Sequence, residues 1–247
     1  MSREGESREA ARVDEERGFV LHSYPYSETS LIVDVFSLRH GRVPLLARGA
    51  RRPRSALRGV LLAFQPLALA WTGRGEVRTL LRAEWVGGLR RLSGRALWCG
   101  FYLNELLIRF LARDDPNEAL FEDYAGALGR IGTESNAEPI LRWFEKRLLL
   151  ESGYALVLDA EADTGQPVAE DARYAYDPDR GPLRSPGSGR TIQGLFSGRT
   201  LRAIAREDFD DPQVLGEAKT LMRQVIAHRL ESLPLQVARV FRELQDL

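Results

Sequence analysis

Between Gly18 and Trp85 the apolar positions recur with a period of two, the spacing of side chains along one face of a β-strand. Phe19-Val20-Leu21 is a short apolar run. Leu31, Val33 and Val35 alternate with Ile32, Asp34 and Phe36; His40-Gly41 supplies a turn, and Val43, Leu45 and Ala47 resume the alternation. Leu67 to Trp71 forms another run. Gly73-Arg74-Gly75 after it predicts a hairpin tip, and Val77 to Trp85 completes the set. Five short strands separated by glycine turns predict a small closed barrel of the OB type, with an SH3-like barrel as the alternative.

After Gly87-Gly88 the period lengthens to that of a helix. Leu97, Phe101, Leu103, Leu106, Leu107, Phe110 and Leu111 make a first stripe, opening near a Ser93 cap. Asp115-Pro116 stops it and opens a second, through Leu120, Phe121, Tyr124, Leu128 and Ile131. Pro139 begins a third, through Leu141, Phe144, Leu148 and Leu149, and Gly153 ends it. Residues 154–195 alternate proline and glycine and predict irregular structure, with one small hairpin over Tyr174-Ala175-Tyr176 and residues 177–181. Two further helices are expected over 212–231 and 234–245. The fold class is therefore α+β: an N-terminal five-stranded OB-fold barrel, then a mostly α-helical domain carrying a small irregular or β insertion. The expected boundaries are a flexible tail over 1–16, the barrel over 17–88 and the helical domain over 89–247, with the insertion at 154–195.

The 247 residues carry no net charge, yet the charge is unevenly placed. Residues 17–91 hold thirteen arginines, no lysine and four acids (Glu28, Asp34, Glu76, Glu84), a net +9, and the remainder of the chain is acidic. Such a split points the basic half towards a polyanion. Arginine itself is weak support, because Lys146 and Lys219 are the only lysines in the chain and the bias covers every region. The single cysteine, Cys99, excludes an internal disulfide and a cysteine-based zinc cluster. No stretch approaches the roughly 20 apolar residues of a membrane span. The N-terminus lacks the apolar core of a signal peptide, and a cytoplasmic protein is expected.

No catalytic constellation stands out. His22, His40 and His228 lie at no metal-ligand spacing, either from one another or from Cys99, and Gly187-Ser188-Gly189 lacks the strand-turn-helix setting of a nucleophile elbow. Gly73-Arg74-Gly75 is followed by no Gly-Lys-Ser/Thr and no helix, so it is not a phosphate loop. Asp210-Asp211 reads as a solvated helix start, and Cys99 as a buried, inert thiol on an apolar helix. The chain is expected to be no enzyme, with no metal and no cofactor.

The densest feature is Arg48-Gly49-Ala50-Arg51-Arg52-Pro53-Arg54-Ser55, with Arg58 close behind. Five guanidinium groups in eleven residues repel one another unless an anion lies among them, and Gly49 and Pro53 place them on a connection at a strand end. Arg74 and Arg78 extend the basic surface. Tyr24 and Tyr26, expected on the loop after the first strand, are candidate stacking platforms; Trp71 is read as core. A barrel with a basic rim and few base-specific readers fits single-strand or backbone binding of low sequence preference. Composition does not separate this from binding of structured RNA, nor does it exclude a scaffold that meets its partners through the helical domain.

Several ordered motifs resemble the RecO family. They are Phe19-Val20-Leu21-His22-Ser23-Tyr24-Pro25-Tyr26-Ser27-Glu28, Gly41-Arg42-Val43, Ala47-Arg48-Gly49-Ala50-Arg51 and Gly73-Arg74-Gly75-Glu76 in the barrel half. Phe101 to Leu107, Leu120-Phe121 with Tyr124, Leu141-Arg142-Trp143-Phe144-Glu145, Gly153-Tyr154 and Pro234-Leu235 follow, so that the resemblance runs over about 17–245. It implies a DNA repair and recombination mediator that binds single- and double-stranded DNA, anneals complementary strands and, with RecR, helps to load RecA onto DNA coated by the single-strand binding protein. It places the DNA surface on the barrel, here at Arg48, Arg51, Arg52, Arg54 and Arg74. It also implies that the C-terminal tail of the single-strand binding protein docks on the helical domain, for which Arg142 is the candidate cation. Many relatives carry a four-cysteine zinc module after the Gly-Tyr; with Asp159 and Glu161 and no cysteine there, this chain is expected to hold no zinc and to order residues 155–195 by packing alone.

Overall fold

The computed structural model describes residues 12–184, 194–231 and 235–237, which divide into two compact units. The first comprises the N-terminal residues to Arg91 together with Leu111–Phe121, and the second comprises Leu92–Phe110 and the chain from Glu122.

The first unit is a closed barrel of β1 (Arg12–Tyr26), β2 (Ser30–Ser37), β3 (Gly41–Ala47), β4 (Leu67–Thr72) and β5 (Arg78–Trp85), in the order β1-β2-β3-β5-β4. A short helix, α1 (Leu57–Val60), lies between β3 and β4. All neighbours are antiparallel except β3 and β5, whose parallel pairing (Leu45 with Arg78, Leu46 with Thr79) closes the cylinder in the OB manner. The inward alternation is the one the sequence carries. Val33, Val35, Val43, Leu45, Ala47, Leu67, Leu69, Trp71 and Leu80 fill the interior. Trp71 is core, 1% exposed, with the His40 ring edge-on at 5.2 Å. Burying an aromatic of this size is among the larger single contributions to such a core.

One strand serves two partners. β1 pairs with β4 through Arg12–Gly18 and with β2 through Gly18–Tyr26, and it turns from one to the other by register shifts between Val13 and Glu16 and between Val20 and His22. This corrects the tail expected over 1–16: residues 1–11 lie outside the described residues, but 12–16 are strand. Asp14-Glu15-Glu16 hides that strand from a hydropathy reading. Glu16 is fully buried, with its carboxylate accepting from the Arg39 amide at 2.7 Å and from Arg39 Nε at 2.9 Å. A buried charge is tolerated when it is paired and hydrogen-bonded in this way.

Residues 111–121, which follow the expected barrel boundary at residue 88 in sequence, pack with the barrel unit. Phe121 packs at 5.4 Å from both Phe19 and Phe36, and Arg17 lies over its ring. Arg42 Nη1 donates to the Leu111 carbonyl at 3.0 Å, and the Asp114 amide donates to the Arg42 carbonyl at 3.1 Å. Beneath this cover burial raises the Asp34 carboxyl above its ordinary range, against the opposing pull of Arg42 and Arg113.

The second unit is built from α2 (Gly94–Phe110), α3 (Glu118–Ile131, its first turn assigned to the barrel), α4 (Glu138–Glu151), α5 (Gly198–Arg206) and α6 (Pro212–Arg229). Leu103, Leu106 and Leu107 of α2, Ala127, Leu128 and Ile131 of α3, Phe144 and Leu148 of α4 and Leu221, Met222 and Val225 of α6 are the buried stripes. Asp211 caps α6, accepting from the Gln213 amide at 2.8 Å, with Pro212 at the first helical position. The expected helix over 234–245 lies outside the described residues except for 235–237. There the Glu105 carboxylate accepts from the amides of Gln236 at 2.7 Å and Val237 at 2.9 Å.

The insertion contains a small sheet of β6 (Arg173–Asp177), β7 (Gly181–Leu183) and β8 (Phe196–Ser197), of which β6 and β7 form the hairpin expected from sequence. Packing alone does not order it. Glu161, 4% exposed, accepts hydrogen bonds from Thr164 Oγ1 at 2.7 Å, Arg184 Nε at 2.9 Å and the Tyr174 hydroxyl at 3.0 Å. Those bonds, the Thr164 hydroxyl first, hold its carboxyl below the usual range. The Tyr174 hydroxyl in turn accepts from the Ala169 amide, and the Tyr176 hydroxyl donates to the Val157 carbonyl. Polar cross-links centred on one carboxylate thus tie the segment together. Among the described residues no group of three or more His, Cys, Asp or Glu side chains is placed to hold a metal, and no helix is long and apolar enough to cross a membrane.

Candidate nucleic-acid interface

The outer face of β1, β2 and β3 is divided in two. At one end Asp34, Phe36 and Arg42 are covered by residues 111–121. At the other end, towards the turn joining β1 to β2, the face carries an aromatic row. Tyr24 and Tyr26 are 40% and 53% exposed, and they stand on β1 opposite Ile32 and Ser30. They are strand residues, not loop residues as expected. Alternate positions share a face, so His22 joins the row, its ring stacked with that of Tyr24 at 6.1 Å and 29°. His22 is the residue the sequence reading missed. The signal for it is the spacing 22, 24, 26, which becomes legible once the segment is known to be strand.

The arginine cluster follows β3 directly. After Ala47 the chain makes successive tight turns, with Arg52 N bonded to the Gly49 carbonyl at 3.1 Å and Ser55 N to the Arg52 carbonyl at 3.0 Å. Gly49 takes φ +69°, the left-handed conformation that glycine adopts without strain. Two anchors fix the loop. Ala50 is fully buried in the barrel core, and Arg51 is bonded to the β1–β2 turn twice, from its amide to the Thr29 carbonyl at 2.9 Å and from Nη1 to the Ser27 carbonyl at 3.0 Å. The second anchor joins the arginine loop to the turn beside Tyr26. Arg48, Arg52, Arg54 and Arg58 point to solvent and have no acidic partner among the described residues.

The remaining candidates are placed differently. Arg74 is exposed in the β4–β5 connection, where Gly73 has φ +116°. Arg78 has only 18% of its side chain exposed and is paired with Asp114 at 2.7 Å, so its charge is already opposed. Arg142, the candidate cation for the tail of the single-strand binding protein, lies inside the helical domain. It is 5% exposed and locked to Glu145 by two hydrogen bonds, one of 2.6 Å from Nε, while the Tyr102 hydroxyl donates to the same carboxylate at 2.6 Å. A guanidinium enclosed in this way is not presented to a docking peptide, and its partner sits three residues along the same helix. Cys99 is half-buried, and burial pushes its thiol up, away from nucleophilic use.

The chain also matches known proteins along its length. The family model for the N-terminal part of recombination protein O matches residues 13–89, and that for its C-terminal part matches residues 91–238. The chain is 52% identical over 236 residues to a DNA repair protein RecO of Aromatoleum aromaticum, covering 96% of this chain and 98% of the relative. It is 49% identical over 241 residues to one of Dechloromonas aromatica, with the same coverage, and 49% identical over 238 residues to one of an Azoarcus species. With an OB-like barrel and a helical domain each matched across nearly their whole length, the chain belongs to the RecO family.

Proposed function

We propose that this chain is a non-enzymatic DNA recombination mediator that binds single-stranded DNA across the open outer face of the barrel. Arg48, Arg51, Arg52, Arg54 and Arg58 take the phosphates, and His22, Tyr24 and Tyr26 take the bases. The observation that carries the reading is the bond from Arg51 to the Ser27 carbonyl, which sets a cationic loop, its other arginines without an acidic partner among the described residues, beside an exposed aromatic row. Phosphate contacts supply affinity without sequence preference, and stacking supplies preference for unpaired bases. Double-stranded DNA meets the same arginines through its backbone. Two strands neutralised on one surface repel each other less, which is the physical basis of annealing. The same proposal extends to cooperation with RecR, loading of RecA and docking of the single-strand binding protein tail on the helical domain; with Arg142 buried, the tail requires another cation.

Replacing Tyr24 and Tyr26 together by alanine tests this assignment. Each stacked base is worth about 1–3 kcal/mol, so the pair variant is expected to bind a single strand at least about tenfold more weakly. Its salt dependence should be unchanged, because no charge is lost. Fluorescence anisotropy on a single strand, a duplex and a structured RNA reads the outcome. An unaltered single-strand affinity removes the stacking role, and a preference for the structured RNA moves the protein to RNA.

A further inference from the structure

Beside the arginine loop lies a depression of about 310 Å³ lined by Leu31, Ala50, Arg51, Leu57, Arg58 and Leu61. We infer that it receives one unstacked base of a bound single strand, with the adjoining phosphate held on Arg58. The inference rests on the DNA-binding reading above and deepens it, by assigning a subsite that the aromatic row does not contain.

The composition of the depression is specific. Four of its six residues are apolar, but Ala50 and Leu61 are buried in the barrel core, so Leu31 and Leu57, packed against that core, supply an apolar wall within a mostly polar lining. The other two are arginines, and no carboxylate among the described residues lines the depression. A bare phosphate needs no apolar floor, and an apolar side chain needs no guanidinium. A group that is flat and apolar on one part and anionic on the next answers both, and a nucleotide is such a group. The volume falls at the small end of small-molecule sites, about 300–1,000 Å³, the size class of a single nucleotide rather than a base pair. The site is also prepared in advance, because Arg51 is held by the Ser27 and Thr29 carbonyls while Arg58 stands exposed without an acidic partner among the described residues. Position argues for DNA over other anions. The same loop carries Arg48, Arg52 and Arg54, and Arg51 ties the depression to the turn beside Tyr26, so a strand lying on the row passes its mouth. A paired base is engaged in its duplex and does not enter, which gives the barrel a second means of favouring unpaired strands.

The test uses the full chain, a single-stranded oligonucleotide and an abasic strand of the same length and charge. Leu57→Gln makes the floor polar without changing charge, and Leu57→Met keeps it apolar. Leu57→Gln is expected to weaken binding of the base-bearing strand about fivefold, to leave its salt slope unaltered and to leave binding of the abasic strand unchanged, while Leu57→Met matches wild type. Equal weakening on both strands, or none on either, overturns the subsite while leaving DNA binding in place. Binding of an acidic peptide ending in an apolar residue, lost in Leu57→Gln while strand binding is retained, assigns the depression to a peptide and also overturns it. If wild type binds no single strand, the DNA-binding reading fails first and takes the subsite with it.

Discussion

Replacing Arg51, Arg52 and Arg54 by alanine is expected to lower the affinity for a single strand by about a hundredfold at 0.1 M salt. The figure follows from counterion release. Each phosphate neutralised contributes about 0.7 to the slope of log affinity against log salt, so three lost contacts flatten the slope by about 2. Extrapolated from 1 M, where the electrostatic contribution is small, that difference grows to about two decades at 0.1 M. Arg52 and Arg54 stand in solvent with no acidic partner among the described residues, so their removal costs the fold little. Arg51 also donates to the Ser27 carbonyl, and its loss loosens the loop from the β1–β2 turn. Reversion of Arg51 alone in the triple variant separates the two effects: restored affinity with a slope still flattened by more than 1 identifies anchoring. The signature differs from that of the tyrosine pair, which changes affinity and leaves the slope.

A large effect on stability is expected at Gly41. A Cβ there would stand 2.1 Å from the Asp115 carbonyl oxygen and 2.4 Å from its carbon, and φ is +64°. Backbone meets backbone, so no side chain can swing aside. Gly41→Ala is expected to cost about 3 kcal/mol, the sum of left-handed strain and overpacking. Gly49 is the control. It has nearly the same φ, +69°, but its nearest neighbours would be Arg52 Cδ and Nε at 3.5 Å, part of a flexible side chain. Gly49→Ala should therefore cost only about 1 kcal/mol. Urea unfolding of the two variants measures both; equal midpoints would mean that residues 111–117 do not press on the start of β3.

The barrel and the stripes of α2, α3 and α4 were legible because their burial follows a period, two for Leu31-Val33-Val35 and Val43-Leu45-Ala47, and about 3.6 for Leu103-Leu106-Leu107. What was not legible depends on partners distant in sequence. Arg12 to Glu16 reads as a polar tail because the partner that satisfies buried Glu16 is Arg39, 23 residues away. Glu161 looks like a surface acid until Tyr174 and Arg184 are folded against it. Within the site, Tyr24 and Tyr26 were expected on a loop, and the proline between them is a residue that central strands exclude. Beyond Gly18, however, β1 no longer pairs with β4, so Pro25 stands on an edge where its missing donor costs nothing. Arg142 was chosen for its charge, and the Glu145 that neutralises it was in the same motif at the i+3 position. Spacing showed the pair; only packing showed that both are buried. α5 escaped because two inward residues, Leu201 and Ile204, are too few to mark a period among three arginines.

The central claim is that charge neutralisation on the barrel lets complementary strands approach, and annealing across a salt series tests it most directly. Two complementary strands carrying a donor and an acceptor dye are mixed with wild-type protein between about 0.05 and 0.3 M salt, and pairing is followed by energy transfer. The account predicts acceleration at low salt that falls steeply as salt rises, and that the triple arginine variant lacks. Acceleration that is independent of salt, or equal in the triple variant, would contradict it.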